Sequence, residues 1–308
     1  MQKMYNSENK YDVVILTDNR YINPNKRDWY INQVLYEDQL LKDSLEKQGL
    51  KVCKKDWADK NFDWHTSKLA IFRSTWDYFE RFDEFFNWIE ETKHKTTFIN
   101  SHKIIHWNID KHYLNQLAKN GINIAPTLFI EKGDNITLSE LFEKTKWNQA
   151  VIKPAISGAA RHTYRINLDN YKYYEEIFKN IISEECMLFQ EFMKNITIKG
   201  EISLIMIGGK YTHAVKKIAK KGDFRVQDDH GGKVKKYTPT KQEILFAERC
   251  VKKCNHTPIY ARVDVVYDNN NIPSLSELEL IEPELWFRNN PNSAILLSKE
   301  ISKLVSSK

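Results

Sequence analysis

Apolar positions in the first hundred residues fall into short unbroken runs separated by amphipathic segments. YDVVILTD (11–18) is an apolar run that turns polar at its end, the pattern of a strand buried on both faces of a parallel sheet. A polar stretch, NRYINPNKRDWYIN, follows. QVLYEDQLLKDSLEKQG then has helical spacing and closes on Gly49. LKVCKKDW and KLAIFRSTW read as a second and a third strand. RFDEFFNWIEET predicts a helix with Phe82, Phe85, Phe86 and Ile89 on its apolar face. Strands alternating with helices predict a parallel sheet flanked by helices.

The pattern changes near residue 105. NIDKHYLNQLAKNGI predicts a helix with Asp110 at its start and Gly121 at its end. APTLFI reads as a strand, and WNQAVIKPAISGAARHTYRI as a strand, a small-residue loop and another strand. CMLFQEFM and GEISLIMIGGKYTHAVKKI predict strands around hairpin turns, and PTKQEILFAERCVKKC a helix. PIYARVDVVYDNNNIPSLSELELIEP predicts a hairpin turning at its Asn-rich segment. A last helix is expected near NSAILLSKEISKLV. The fold class is therefore α/β (α+β): a parallel N-terminal sheet followed by a more antiparallel remainder.

In that hairpin Leu278 and Leu280 point one way, and Glu277 and Glu279 the other. On the partner strand Arg262 and Asp264 share one face. If the strands pair, Asp264, Glu277 and Glu279 converge on a polar face, with i and i+2 roughly 6.5–7 Å apart. Carboxylates so placed repel unless cations lie between them, and Mg²⁺ typically takes one or two carboxylates plus substrate phosphates. A solvated outer face of an edge hairpin would show the same alternation. On the phosphate side, Lys153 ends an apolar strand and precedes Ser157, Gly158, Ala159 and Ala160. Small residues let backbone N–H groups approach phosphate oxygens. The pattern is not a Walker A loop, because no G-K-[ST] follows. VKKIAKKGDFRVQDDHGG (215–232) sets Arg225 among glycines, as in a loop that closes over a phosphate. Lys216 and Lys217 alternate on their strand, so one of the two faces the site.

Composition narrows the classes. Of the 308 residues, 41% are hydrophobic, with 15 Tyr, 15 Phe and 8 Trp, enough for a core and against disorder. No apolar run approaches the roughly 18 residues that span a bilayer, and the start lacks the apolar segment of a secretory signal. Cys53, Cys186, Cys250 and Cys254 are scattered as in a reduced, cytoplasmic protein. Cys250 and Cys254 with His256 would make a zinc half-site lacking a fourth ligand, and core thiols explain the same spacing. The net charge of +6 carries no aromatic-interleaved nucleic-acid signature and reads as a lysine-rich surface.

Taken in order, these motifs resemble the ATP-grasp superfamily over about two thirds of the chain. The resemblance implies three parts: residues 1–105 as an N-terminal substrate domain, 106–188 as a small subdomain and 189–308 as a subdomain carrying the metal site. It implies that Lys111, in DKHYLNQLAKNGI, and Lys153, in VIKP, bind nucleotide phosphates beneath the loop of Ser157, Gly158 and Ala159. LFQEFM is similar to the hinge that meets adenine, at Glu191, Phe192 and Met193, and GEISL places Glu201 at the ribose. KGDFRVQDDHGG is similar to a loop of glutathione synthetase-like ligases. RVDVV and ELEL are similar to the metal-ligand strands, which implies Asp264, Glu277 and Glu279 as ligands. The second strand departs from the commoner Glu-x-Asn by having Glu279.

The resemblance also implies ATP with one or two Mg²⁺ ions, replaceable by Mn²⁺. The implied reaction is ADP-forming attack of a carboxylate on ATP to give an acyl phosphate, which a nucleophile then displaces. Lys153, Arg225 and Arg262 would be the catalytic charges. FDWHTSKLAIFRSTWDYFERFDEFFNWIE, HWNIDKHYL and YTHAVKK add a narrower likeness to the O-ureido-D-serine cyclo-ligase group of cycloserine biosynthesis, and so to an amino-acid-like small molecule rather than nucleic acid or membrane. A homo-oligomer stays open. RSTWDY lies where a parallel sheet presents ligand contacts. Arg73 is expected to bind a substrate carboxylate, Ser74 or Asp77 an amino group or other polar end, and Trp76 and Tyr78 to form a wall. Trp76 as domain-interface core is equally compatible with the sequence, and His213 either faces the substrate or is an ordinary strand histidine. Arg73 and Asp77 pairing across a domain interface is the other reading of the same motif. A peptide-tagging enzyme and a non-catalytic nucleotide sensor are the competing functions, and the intact Lys153, Arg225, Asp264 and Glu277 speak against the second.

Overall fold

The computed structural model describes residues 10–158, 160–226 and 231–307. β1 (Tyr11–Thr17) leads to α1 (Trp29–Lys47), whose first turn is capped by the Asp28 carboxylate accepting the Ile31 N–H at 2.8 Å. β2 (Val52–Asp56), β3 (Ser67–Ser74), α2 (Phe82–Thr92) and β4 (Thr97–Ile99) complete a parallel sheet of order β2-β1-β3-β4. The unbroken apolar runs have a direct cause. Val13, Ile15, Leu69 and Ile71 pack into one core, while Val14, Leu16, Ala70 and Phe72 pack into another on the opposite face. Both faces are covered, so alternation disappears.

α3 (His102–Asn108) and α4 (Tyr113–Lys119) lead into β5 (Thr127–Ile130), α5 (Leu138–Thr145), β6 (Gln149–Pro154), β7 (Tyr164–Asn167), α6 (Tyr171–Glu184) and β8 (Met187–Glu191). The strands form an antiparallel sheet of order β5-β8-β6-β7. α6 has little signal in its lysine- and tyrosine-rich sequence. It buries Phe178 and Ile182 against Met187 and Phe189.

α7 (Asn195–Lys199), β9 (Glu201–Ile207), β10 (Lys210–Ile218), β11 (Lys233–Tyr237), α8 (Lys241–Lys252), β12 (Tyr260–Tyr267), β13 (Pro273–Glu279) and α9 (Asn292–Ser306) follow. Their sheet is antiparallel, of order β11-β10-β9-β12-β13. α9 returns to the first sheet, where Ala294, Leu297 and Ile301 share a core with Leu41 and Leu45 of α1. Asn100, just past β4, locks the first sheet to the third. Its amide donates to the carbonyls of Tyr260 and Leu280 at 2.9 and 2.8 Å. No helix among the described residues is long and apolar enough to cross a membrane.

Candidate active site

The three sheets enclose a cavity of about 650 Å³. Its acidic wall is the β12–β13 hairpin, where Asp264 stands opposite Glu277 and Arg262 opposite Glu279. The intervening Val263 and Leu278 turn into the core. Beyond β13 the Asn108 amide donates to the Leu278 carbonyl at 2.8 Å and its oxygen accepts the Leu280 N–H at 2.9 Å. The Tyr113 hydroxyl accepts the Leu278 N–H at 2.9 Å. These contacts hold Leu278 inward and so keep Glu277 and Glu279 on the cavity side.

Each carboxylate has a cation. Asp264 accepts from Ser203 Oγ at 2.6 Å, from Arg262 Nη2 at 2.8 Å and from Lys217 Nζ at 3.1 Å. Burial works to raise its pKa, but Arg262 and Lys217 outweigh burial and hold it well below the usual carboxylate range. Glu277 pairs with Lys111 at 3.2 Å, and Glu279 pairs with Arg262. Burial, joined by the Glu277 and Asp264 charges, pushes Glu279 up to about 8 against the pull of Arg262. Lys217 also pairs with Glu201. Of the two alternating lysines, then, Lys217 faces the site, and Lys216 lies over the Tyr237 ring at 5.3 Å.

Lys111 and Lys153 stand beside this acidic wall, next to Glu277. Lys111 Nζ donates to the Ser157 carbonyl at 2.7 Å, and burial pushes the Lys153 ammonium below its ordinary pKa. Gly158 faces the Phe79 ring so closely that a Cβ there would lie 2.6 Å from it. Ala159 and residues 227–230 of the glycine-flanked loop lie outside the described residues. At the hinge, Glu191, Phe192 and Met193 line the cavity. The Glu191 and Phe192 N–H groups are engaged by the carbonyls of Pro126 and Gln149 at 2.8 and 3.1 Å. The described part of the loop reaches this hinge: Phe224 packs edge-on to Phe192 at 6.0 Å, and Arg225 grips Asp223 at 2.8 Å.

The donor set fits divalent magnesium or manganese. Asp264, Glu277 and Glu279 offer hard oxygens, and among the described residues neither histidine nor cysteine lines the cavity with them. Lys111, Lys153, Lys217 and Arg262 face Glu201, Asp264, Glu277 and Glu279, so the protein's own charges nearly cancel here. A polyphosphate bound together with divalent cations adds little net charge to such a wall.

A family model described as the RimK-like ATP-grasp domain matches residues 110–279, more than half of the chain. The chain belongs to the RimK-like ATP-grasp family. A second model, the N-terminal domain of D-cycloserine synthetase DcsG, matches residues 13–100. The chain is 24% identical over 271 residues to cycloserine biosynthesis protein DcsG of Streptomyces lavendulae, covering 82% of this chain and 87% of that one. It is 26% identical over 196 residues to a D-alanine–D-alanine ligase of Clostridium beijerinckii, covering 61% and 62%. The crystal structure of D-cycloserine synthetase DcsG superposes with a TM-score of 0.84 at 21% identity, covering 95% of this chain and 99% of that one. D-alanine–D-alanine ligase from Bacillus anthracis complexed with ATP superposes with a TM-score of 0.63 at 12% identity, covering 96% and 99%, and shares the fold. The chain is thus an ATP-grasp ligase, of a family that works with ATP and a divalent metal.

The four substrate contacts expected on the ATP-grasp scaffold are placed off the cavity. Arg73 is 3% exposed; it donates to the Pro283 carbonyl at 2.9 Å and lies over the Phe287 ring at 5.2 Å. The expectation that it binds a substrate carboxylate is corrected. Arg73 and Ser74 still belong to β3, so they point into packed layers, and the chain reaches the cavity only beyond the strand, at Trp76 and Tyr78. Ser74 bonds Thr17 Oγ1 at 2.6 Å and Asp38 at 3.3 Å. Asp77 accepts from the Trp57 indole at 2.7 Å and from Arg81 at 2.6 Å. The Arg73–Asp77 pairing does not form either. His213 donates to the Leu285 carbonyl at 3.0 Å, behind the wall. Cys250 and Cys254 are packed thiols, and burial pushes Cys254 up to about 12. The sequence reading missed Glu282, Tyr21, Tyr30 and Arg161, all of which line the cavity. Glu282 could have been read from its place just after ELEL. Tyr21 and Arg161 sit in short turns, and Tyr30 in the first turn of α1, where no motif marks them. Away from the cavity, His102 and His106 both meet Glu90, at 2.8 and 2.6 Å, and tie α3 to α2.

Proposed function

We propose that this ligase is ADP-forming and joins an amine or similar nucleophile to the carboxylate of an amino-acid-like or small-peptide substrate through an acyl phosphate. The supporting observation is that Lys111 and Lys153 line one cavity together with Asp264, Glu277 and Glu279. The names of the relatives, a D-cycloserine synthetase and a D-alanine–D-alanine ligase, support a substrate related to a D-amino acid. The cyclising case is the one in which carboxylate and nucleophile belong to one molecule. A cytoplasmic site of action suits ATP use and four free cysteines.

In this reading residues 1–105 supply the substrate wall, 106–188 the phosphate lysines and 189–308 the acidic hairpin. Lys111 and Lys153 hold phosphate oxygens, helped by the loop of Ser157, Gly158 and Ala159. Asp264, Glu277 and Glu279 hold Mg²⁺, which supplies charge neutralisation at the transferring phosphoryl group. Arg225 and Arg262 steady the charge that develops as carboxylate and amine react. With the Glu191 and Phe192 N–H groups already bonded, Met193 is the hinge residue left to meet adenine, and Glu201 lies toward the ribose. The glycine-flanked loop shields the activated carboxylate from water.

The test is a screen of ADP and phosphate release with Mg-ATP against D- and L-amino acids, their ureido derivatives and dipeptides. ADP and phosphate are expected with a narrow group of these. Formation of AMP and pyrophosphate would rule the mechanism out.

A further inference from the structure

Residues 73–78 grip the chain just beyond β13. Arg73 donates to the Pro283 carbonyl and the Trp76 indole to the Glu282 carbonyl, each at 2.9 Å. Tyr260 adds a bond from its hydroxyl to the Ile281 carbonyl at 2.6 Å. Three successive carbonyls are thereby fixed, and the Glu282 side chain is held in the cavity wall with the Tyr78 hydroxyl as its partner.

Charge pairing sets Glu282 apart from its neighbours. Glu277 has Lys111, Glu279 has Arg262 and Glu284 has Arg288. Glu282 has no ion pair among the described residues. Trp76 and Tyr78 meet it directly, and Trp76 is in turn in ring contact with two further cavity residues, Tyr21 at 5.7 Å and Tyr30 at 6.3 Å. Lys111 is the cation whose charge reaches it, from beyond ion-pair distance. A carboxylate without an ion pair, close to aromatic side chains, is complementary to an organic ammonium.

We propose that Glu282 is the catalytic residue for the nucleophile: its carboxylate binds the ammonium group of the substrate and takes the proton that frees the amine. This rests on the ligase reading above. Glu282 removes one N–H proton, and the nitrogen lone pair forms the C–N bond at the acyl-phosphate carbonyl carbon. The C–O bond to phosphate breaks and its electron pair leaves with phosphate. The second N–H proton departs on that phosphate, and Glu282 returns its own proton to water. Removal from water pushes Glu282 up to about 7, a range suited to proton exchange near neutrality. The clamp formed by Arg73 and Trp76 has a positioning role, which accounts for a motif whose Arg73 is buried away from the cavity.

The experiment compares wild type, Glu282→Gln and Glu282→Asp with Mg-ATP and a panel of D- and L-amino acids that serve as both carboxylate and amine. Each is run with and without hydroxylamine, a nucleophile uncharged at neutral pH, and melting temperatures are recorded. Glu282→Gln is expected to form hydroxamate within about threefold of wild type while its peptide or cyclised product falls by about 100-fold or more. Glu282→Asp is expected to recover part of that product. A Gln variant that keeps its amine product, or that loses hydroxamate in the same proportion, overturns the role. A wild type that forms neither product overturns the ligase reading itself, and this role with it.

Discussion

Lys217 Nζ lies 3.1 Å from Asp264 Oδ2 and also pairs with Glu201, so one buried ammonium ties β10 to β9 and β12 across the cavity floor. Its neighbour Lys216 points to the other face. Lys217→Met is expected to lower stability by about 3 kcal/mol, because it leaves two buried carboxylates short of a cation. It should also abolish ATP turnover, while Lys216→Met leaves both nearly unchanged. Chemical denaturation and ADP release check the pair, and similar losses in both variants would reverse the assignment.

Glu277 faces Lys111 from a half-buried position, and Asp264 lies deeper. Glu277→Gln is expected to cut kcat by about 100-fold or more, since it removes charge that clamps the transferring phosphoryl group. Its melting temperature should change little. Asp264→Asn should lose both turnover and stability. Near-normal turnover in both would sink the metal assignment.

Arg73 is a lock between the first sheet and the segment after β13. Arg73→Lys keeps the charge but loses the planar fork, and the missing buried hydrogen bond costs about 1.5–3 kcal/mol. A fall of several degrees in melting temperature is the expected result. An unchanged melting temperature with a raised KM for the small substrate alone would return Arg73 to substrate binding.

Gly200 precedes Glu201 with φ +76°, and a Cβ there would run into the Lys217 carbonyl. Gly200→Ala is strained both by its backbone conformation and by this collision. It should destabilise the protein by about 2 kcal/mol or more, well beyond an ordinary surface change. Denaturant titration measures it, and a neutral outcome would show that β9 and β10 separate more readily than their register implies.

Burial outweighs the bond to the Leu285 carbonyl, which pulls the other way, and leaves His213 with a pKa lowered to about 4. The unfolded chain binds that proton near the ordinary value of about 6.5. Between these values the unfolded state holds more protons, so stability is full above about pH 6.5 and declines as pH falls toward 4. At pH 5 the loss from this one group is about 2 kcal/mol. His213→Gln should remove that part of the slope between pH 7 and pH 5, and equal slopes in the two proteins would refute the assignment.

Local pattern determined much of this protein. The two-sided burial of β1 and β3 made unbroken apolar runs, and the alternation in SELELI set Glu277 and Glu279 on one face whatever their partners. Motif order carried the ATP-grasp resemblance, and with it the residues Lys111, Lys153, Arg225 and Asp264. Tertiary structure decided what depends on distant chain. Which of Lys216 and Lys217 faces the cavity followed from the pairing of β10 with β9, and Arg73 became a lock because the chain near Pro283, 210 positions later, returns to meet it. α6 gave no clear signal because its buried side, Phe178 and Ile182, is narrow and the rest of it is solvated. Glu282 had only its place just after ELEL to mark it in the sequence, and its chemistry became distinct only in the fold. A single glutamate after a strand has no periodicity, and its lack of an ion pair among the described residues becomes evident only once Glu277, Glu279 and Glu284 have found theirs.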